Sequence, residues 1–206
     1  AQGMDLDVLE TTLVKRQASV VISIANLGNP TGVTMTQECK ERLIRIAHEH
    51  DAVVIEDDIY GDTAFEGPRP KPLRAFSDRV ILCSSFSKTL APGIRVGWVA
   101  GARWSTTIAS VKYTSTMGTP NYSQAAIAEF IRIGGYDAHL RRLKRSLQFQ
   151  MRNMRKAVMH HFPLGTCVSD PTGGYVLWVK LPKECISTRQ LFELARKEGI
   201  GIAPGH

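Results

Sequence analysis

The chain has 206 residues, with 26 Lys+Arg against 19 Asp+Glu and a formal net charge of +7. A hydrophobic share of 43% with 22% charged residues excludes a disordered, collagen-like or coiled-coil chain and fits one or two globular domains. No apolar run is long enough to cross a bilayer and residues 1–10 carry no leader pattern, so a cytoplasmic protein without membrane contact is expected.

Ala18 to Ala25 is a short, β-branched run and reads as a buried strand. Asn26 to Gly32 is a loop dense in turn formers. Thr34 with Gln37 resembles a capping box, opening a helix to about His50 with Leu43, Ile44, Ile46 and Ala47 on its apolar side. Ala52 to Ile55 is a second strand, ending in Glu56-Asp57-Asp58, and Gly67 to Pro72 is a Pro-rich loop. Arg79 to Ser84 and Gly97 to Gly101 read as further strands, and Tyr122 to Ile133 as a helix. Gly173 to Leu181 reads as a strand in a different context, and Thr188 to Glu198 as a helix.

The charge is concentrated between His139 and Lys156. Arg141, Arg142, Lys144, Arg145, Arg152, Arg155 and Lys156 lie there with no acid among them, and the rest of the chain is neutral. Leu140, Leu143, Leu147, Met151, Met154 and Val158 recur at steps of three and four, so one long amphipathic helix with a basic outer face is expected. Such a face suits nucleic acid or another anionic surface, and a solvated helix face is the commoner explanation. No zinc-finger, helix-turn-helix or aromatic single-strand pattern accompanies it. Cys39, Cys83, Cys167 and Cys185 are far apart with no zinc spacing, so reduced thiols and no metal site are expected.

Helices between short apolar strands predict an α/β layer with a mostly parallel sheet. Ligands of such sheets sit at the carboxyl ends of strands. Three polar segments follow strands directly: Asn26 to Gly32, Glu56 to Tyr60 and Ser84 to Lys88. Ser85, Ser87, Lys88 and Arg95 combine hydroxyls and cations that suit a phosphate, although no Walker A spacing is present. A partly dried lysine beside other cations can act as a nucleophilic amine. An acid at a neighbouring strand end could hold a proton on a heterocyclic nitrogen, and together these suit pyridoxal 5'-phosphate. Singly, each has a plainer reading as a surface lysine, a loop-solvating acid or an ordinary turn.

Asn29-Pro30-Thr31-Gly32, Asp57-Asp58-Ile59-Tyr60, Ser85-Phe86-Ser87-Lys88 and Gly93-Ile94-Arg95-Val96-Gly97 resemble the ordered motifs of the fold type I pyridoxal-phosphate aminotransferases, class I/II. The resemblance covers nearly the whole chain. It implies a fold type I layer with a mostly parallel sheet flanked by helices, followed by the start of a smaller α+β domain. It implies that Lys88 is the Schiff-base lysine, that Asp57 pairs with the pyridine nitrogen, and that Tyr60 and Asn29 bond the ring hydroxyl oxygen. Ser85, Ser87 and Arg95 would bind the phosphate. Glu56 and Asp58 match no cofactor role and read as structural or loop-capping.

Residues 82–93, Gly135-Tyr136-Asp137 with the bases after it, and Gly173-Gly174-Tyr175-Val176-Leu177-Trp178 are similar to the aminotransferase-like domain of MocR-type regulators of the GntR superfamily. Aminotransferases of the α-aminoadipate type share much of this set. The resemblance implies residues 1–138 as part of a large cofactor domain and 139–206 as part of a small one. The preceding half of the large domain, a carboxylate-binding arginine beyond the APG motif and any winged helix lie outside this sequence, which therefore reads as a fragment. Weakened cofactor binding and no turnover are expected of it alone. The parent is expected to be a homodimer that takes an amino acid or amine as effector or substrate and meets DNA only through a winged-helix segment. A working aminotransferase is the alternative, and a relic that binds nothing is the third reading.

Overall fold

A computed structural model describes residues 3–205. The first element, α1 (Leu6–Arg16), has no counterpart among the expected elements. Asp5 caps it, accepting from the amides of Asp7 and Val8, each at 3.1 Å. Only Leu6 and Leu13 are buried, so the apolar period is too sparse to stand out.

Then follow β1 (Val20–Ser23), α2 (Gln37–Glu49), β2 (Val53–Asp57), β3 (Val80–Ser85) and β4 (Gly97–Ala100). They form one sheet in the order β1-β2-β3-β4, with β1, β2 and β3 parallel and β4 antiparallel to β3. The expected mostly parallel sheet is therefore present. Val21, Val54, Val80 and Leu82 point to the covered face, where Leu43, Ile44, Ile46 and Ala47 of α2 and Leu13 of α1 close the core. The alternate residues Val20 and Ile22 face outward and are exposed.

The capping box at Thr34 is not formed. Thr36 is the N-cap, its hydroxyl accepting from the Cys39 amide at 3.3 Å. The Thr34 hydroxyl instead accepts from the Leu27 amide at 3.1 Å, closing the loop after β1. A hydroxyl so close to a turn bonds the turn when that saves an otherwise buried amide. The box does form at Ser187, which caps α6 (Thr188–Lys197) reciprocally with Gln190.

Beyond the sheet come α3 (Ser105–Thr116), α4 (Asn121–Arg132) and α5 (Gly135–His161). α3 was not expected, and it buries no residue, which explains its weak sequence signal. α5 is the expected basic helix, extended to 27 residues and so about 40 Å long. Leu140, Leu143, Leu147 and Met151 are half-buried, Val158 is buried and Met154 is exposed. Acids from elsewhere reach its bases, Glu66 to Arg152 at 3.5 Å and Asp170 to Arg155 at 3.7 Å. No described helix is long and apolar enough to cross a membrane.

The strand expected over Gly173 to Leu181 does not form along that length. Only Val179–Lys180 is strand, β6, pairing with β5 (Cys167–Val168). Gly174 has a φ of +79°, which breaks an extended run, and Gly173 makes an isolated bridge to Ala64 instead.

Candidate functional site

The three parallel strands end at one edge, and the three polar segments are brought there together. Because β4 runs back along β3, with Ser85 opposite Gly97, Arg95 returns to the same edge. The Arg95 guanidinium lies 3.4 Å from the Ser87 hydroxyl and also donates to the Pro92 carbonyl at 3.3 Å. The Ser87 amide donates to the Ser85 hydroxyl at 3.1 Å. This is a small cup of hydroxyls, amide and cation in which an anion would find several donors. Lys88 follows immediately and is exposed.

Period-two alternation sorts the three consecutive acids. Glu56 points to the covered face and is wholly buried, while Asp57 is half-buried on the open face, opposite Cys83 in the register. Burial first, and the Asp57 charge second, push the Cys83 thiol up. Glu56 accepts from the amides of Leu73 at 2.7 Å and Arg74 at 3.1 Å, capping a short 3-10 turn over Leu73–Ala75. Burial raises its carboxyl and those two amides oppose the shift. Glu56 thus caps a loop, as its lack of a cofactor role implied.

Asp58 is buried at the centre of a polar network. Asn26 donates to it at 3.0 Å, and Arg69 pairs with it. The Arg69 Nε donates to Asp62 at 2.5 Å, and Tyr136 reaches the other Asp62 oxygen at 3.4 Å. Lys40, only 4% exposed, donates to Asn26 Oδ1 at 2.6 Å and to the Lys71 carbonyl at 2.7 Å. Burial pulls the Lys40 ammonium down while Glu56 and Asp58 hold it up, and burial raises Asp58 against Asn26 and Arg69. The Asp58 amide also donates to the Cys83 carbonyl at 2.9 Å, and the Ser84 hydroxyl to the Asp58 carbonyl at 3.1 Å. The network therefore pins the turn between Asp57 and Tyr60. Asn26, Lys40, Asp62 and Arg69 were not picked out from sequence. Lys40 carried a signal, since it precedes Leu43, Ile44 and Ala47 at helical spacing on the apolar stripe.

Tyr60 is 5% exposed and packs with Leu27, Ala64 and Ile59. Asn29 stands exposed in its loop at the same edge, and among the described residues no hydrogen bond joins it to Tyr60 or Asp57. Residues 171–175 cross this edge. A Cβ on Gly173 would stand 2.7 Å from Ala64 Cα and 2.8 Å from the Thr63 carbonyl oxygen. Gly173→Ala should therefore push the crossing segment off the edge and cost about 1–3 kcal/mol, read as a lowered urea midpoint.

The Asp57 carboxylate, Lys88 amine, Tyr60 phenol and Ser85-Ser87-Arg95 cluster are groups of the kinds that pyridoxal phosphate chemistry uses. The residues present fit that group. No group of three or more His, Cys, Asp or Glu placed for a metal occurs among the described residues.

This mostly parallel sheet flanked by helices has the fold of the type I pyridoxal-phosphate aminotransferases. The chain belongs to the aminotransferase class I and II family, whose sequence model matches residues 1–206. It is 37% identical to the uncharacterized HTH-type transcriptional regulator YjiR of Escherichia coli, covering 98% of this chain and 43% of that protein. It is 31% identical to aromatic-amino-acid aminotransferase 1 of Thermococcus litoralis, covering 99% and 51%. The kynurenine aminotransferase structure from Pyrococcus horikoshii superposes with a TM-score of 0.90 at 30% identity, covering 98% of this chain and 52% of that one. The chain thus spans about half the length of the relatives it matches.

Proposed function

We propose that this chain binds pyridoxal 5'-phosphate and forms the effector-sensing, dimerising domain of a MocR-type transcriptional regulator. The observation that carries the cofactor reading is the convergence of Asp57, Tyr60, Ser85, Ser87, Lys88 and Arg95 on one sheet edge. The higher identity to the HTH-type regulator supports the regulator over the enzyme. Residues 1–138 belong to the large domain in this reading and 139–206 to the small one, the boundary falling in the first turn of α5. DNA is met through a helix-turn-helix segment outside this sequence, and the ligand sensed is an amino acid or amine. The plain aminotransferase is the second reading, favoured by the superposition on an enzyme that needs the same residues.

The cofactor, when bound, supplies a carbonyl that condenses with amines and a ring that stores electrons. The chain's residues do the rest. Arg95 and the two serines would hold the phosphate and so set the ring's position. Asp57 would hold a proton at the ring nitrogen from the open sheet face. Tyr60 would donate to the ring oxygen from its buried position. Lys88 would offer the amine for the carbonyl and would then be placed to carry a proton.

Titrating the full-length protein with pyridoxal phosphate is expected to give a visible band that saturates at one cofactor per chain. Borohydride reduction and peptide mass analysis should then place the adduct on Lys88. No band, or an adduct on another lysine, overturns the cofactor reading. DNA binding that responds to the cofactor supports the regulator, whereas amino-group transfer between an amino acid and a 2-oxo acid supports the enzyme.

A further inference from the structure

The segment that crosses the sheet edge delivers one side chain to the middle of the candidate site. Gly173 bridges to Ala64, and the Phe65 amide donates to the Thr172 carbonyl at 2.8 Å. Pro171 lies against Gly32 of the Asn-Pro-Thr-Gly loop, where a Cβ on the glycine would stand 2.8 Å from it. Gly174, at a φ of +79°, then turns the chain so that Tyr175 faces Lys88. The Tyr175 hydroxyl donates to the Lys88 carbonyl, and its ring tilts at 51° to Tyr60 with centroids 6.3 Å apart.

These contacts join two residues of the site through a third that the cofactor reading did not use. We propose that Tyr175 is a positioning residue, which fixes the backbone of Lys88 and thereby aims its amine at the carbonyl it captures. The inference rests on the cofactor reading above. Its physical basis is local. The Lys88 turn is anchored at its start by the Phe86 carbonyl, which accepts from the amides of Leu90 at 2.8 Å and Ala91 at 3.2 Å. Tyr175 anchors the lysine's own carbonyl from the opposite side. A carbonyl held in place sets the direction of the Cα–Cβ bond, and so the arc that the flexible lysine can sweep. Burial, and Tyr60 second, push the Tyr175 phenol up, so it remains a donor at neutral pH. At 42% exposed, Tyr175 is not a core residue, and Tyr175→Phe removes the hydroxyl with little change to the packing.

The test uses full-length wild type and Tyr175→Phe with two ligands. Pyridoxal phosphate reports capture by Lys88. Pyridoxine phosphate lacks the aldehyde, so it reports the phosphate cup and ring contacts alone. Tyr175→Phe is expected to slow the appearance of the visible band and weaken covalent binding by about three- to tenfold, the worth of one hydrogen bond, with pyridoxine phosphate affinity unchanged. Equal capture by the two proteins overturns the proposal. So does an equal loss for both ligands, which would mean a merely structural role. Hydrogen exchange without cofactor is the independent arm, and faster exchange over residues 86–91 is expected in Tyr175→Phe. If wild type shows no capture, the cofactor reading fails, and unchanged exchange there would then also overturn the anchoring of Lys88.

Discussion

Replacing Lys88 by alanine should abolish the visible band of the cofactor-loaded protein while leaving its fold intact. The two halves of that result have separate causes. Lys88 is exposed and its side chain makes no described hydrogen bond, so its loss should move stability by no more than about 0.5 kcal/mol. Among the described residues gathered at this edge it supplies the amine, because Arg95 beside it cannot give up a proton to become a nucleophile. The Ser85-Ser87-Arg95 cup survives the substitution, so reversible binding of the cofactor, without the spectral shift that the Lys88 amine causes, should persist. Spectral titration together with urea denaturation checks both halves. A band that survives in Lys88→Ala would assign the amine elsewhere and remove the main support for the site. A collapsed midpoint would show that Lys88 holds the fold, which its exposure argues against.

The site was legible in outline because its parts sit in short consecutive motifs that follow strands. Register and alternation then do what the motif could not. They set Asp57 on the open face and Glu56 on the covered one, although the two are neighbours of like chemistry. The network behind them was not legible, because Asn26, Lys40, Asp58 and Arg69 come together only when β1, α2, β2 and the Pro-rich loop have packed. The strands β1 to β4 and the helices α2, α4 and α6 were legible to within a residue or two at each end, whereas α5 runs beyond both ends of its basic segment. α1 and α3 lack a dense apolar period, burying two residues and none, and they were missed. The segment after Gly173 has the composition of a strand, but its glycines serve the close approach to Ala64 and the turn to Tyr175. Composition alone does not separate those uses.

Asp58→Ala should destabilise the protein by about 3–5 kcal/mol, the usual cost of removing one partner from a buried ion pair. The carboxylate is fully buried and serves two donors at once. Without it, Asn26 keeps an amide donor in a dry site, at a cost of about 1–3 kcal/mol. Lys40 and Arg69 also lose the charge that offsets their burial. Asp58→Asn should lose less, because the amide oxygen can still accept from Asn26 while its NH2 meets Arg69 poorly. Urea midpoints at unchanged slope measure the difference. A cycle of Lys40→Met and Asp58→Ala should show coupling of about 1 kcal/mol or more, since both act through Asn26. A loss under about 1 kcal/mol for Asp58→Ala would mean that water replaces the carboxylate freely, and the network would then hold nothing. The same substitution bears on the site. Asp58 anchors the turn from Asp57 to Tyr60 through its side chain and both backbone groups, and alanine keeps only the backbone bonds. Cofactor affinity should therefore fall in Asp58→Ala even under conditions where the protein is fully folded, because Asp57 and Tyr60 lose the strut behind them.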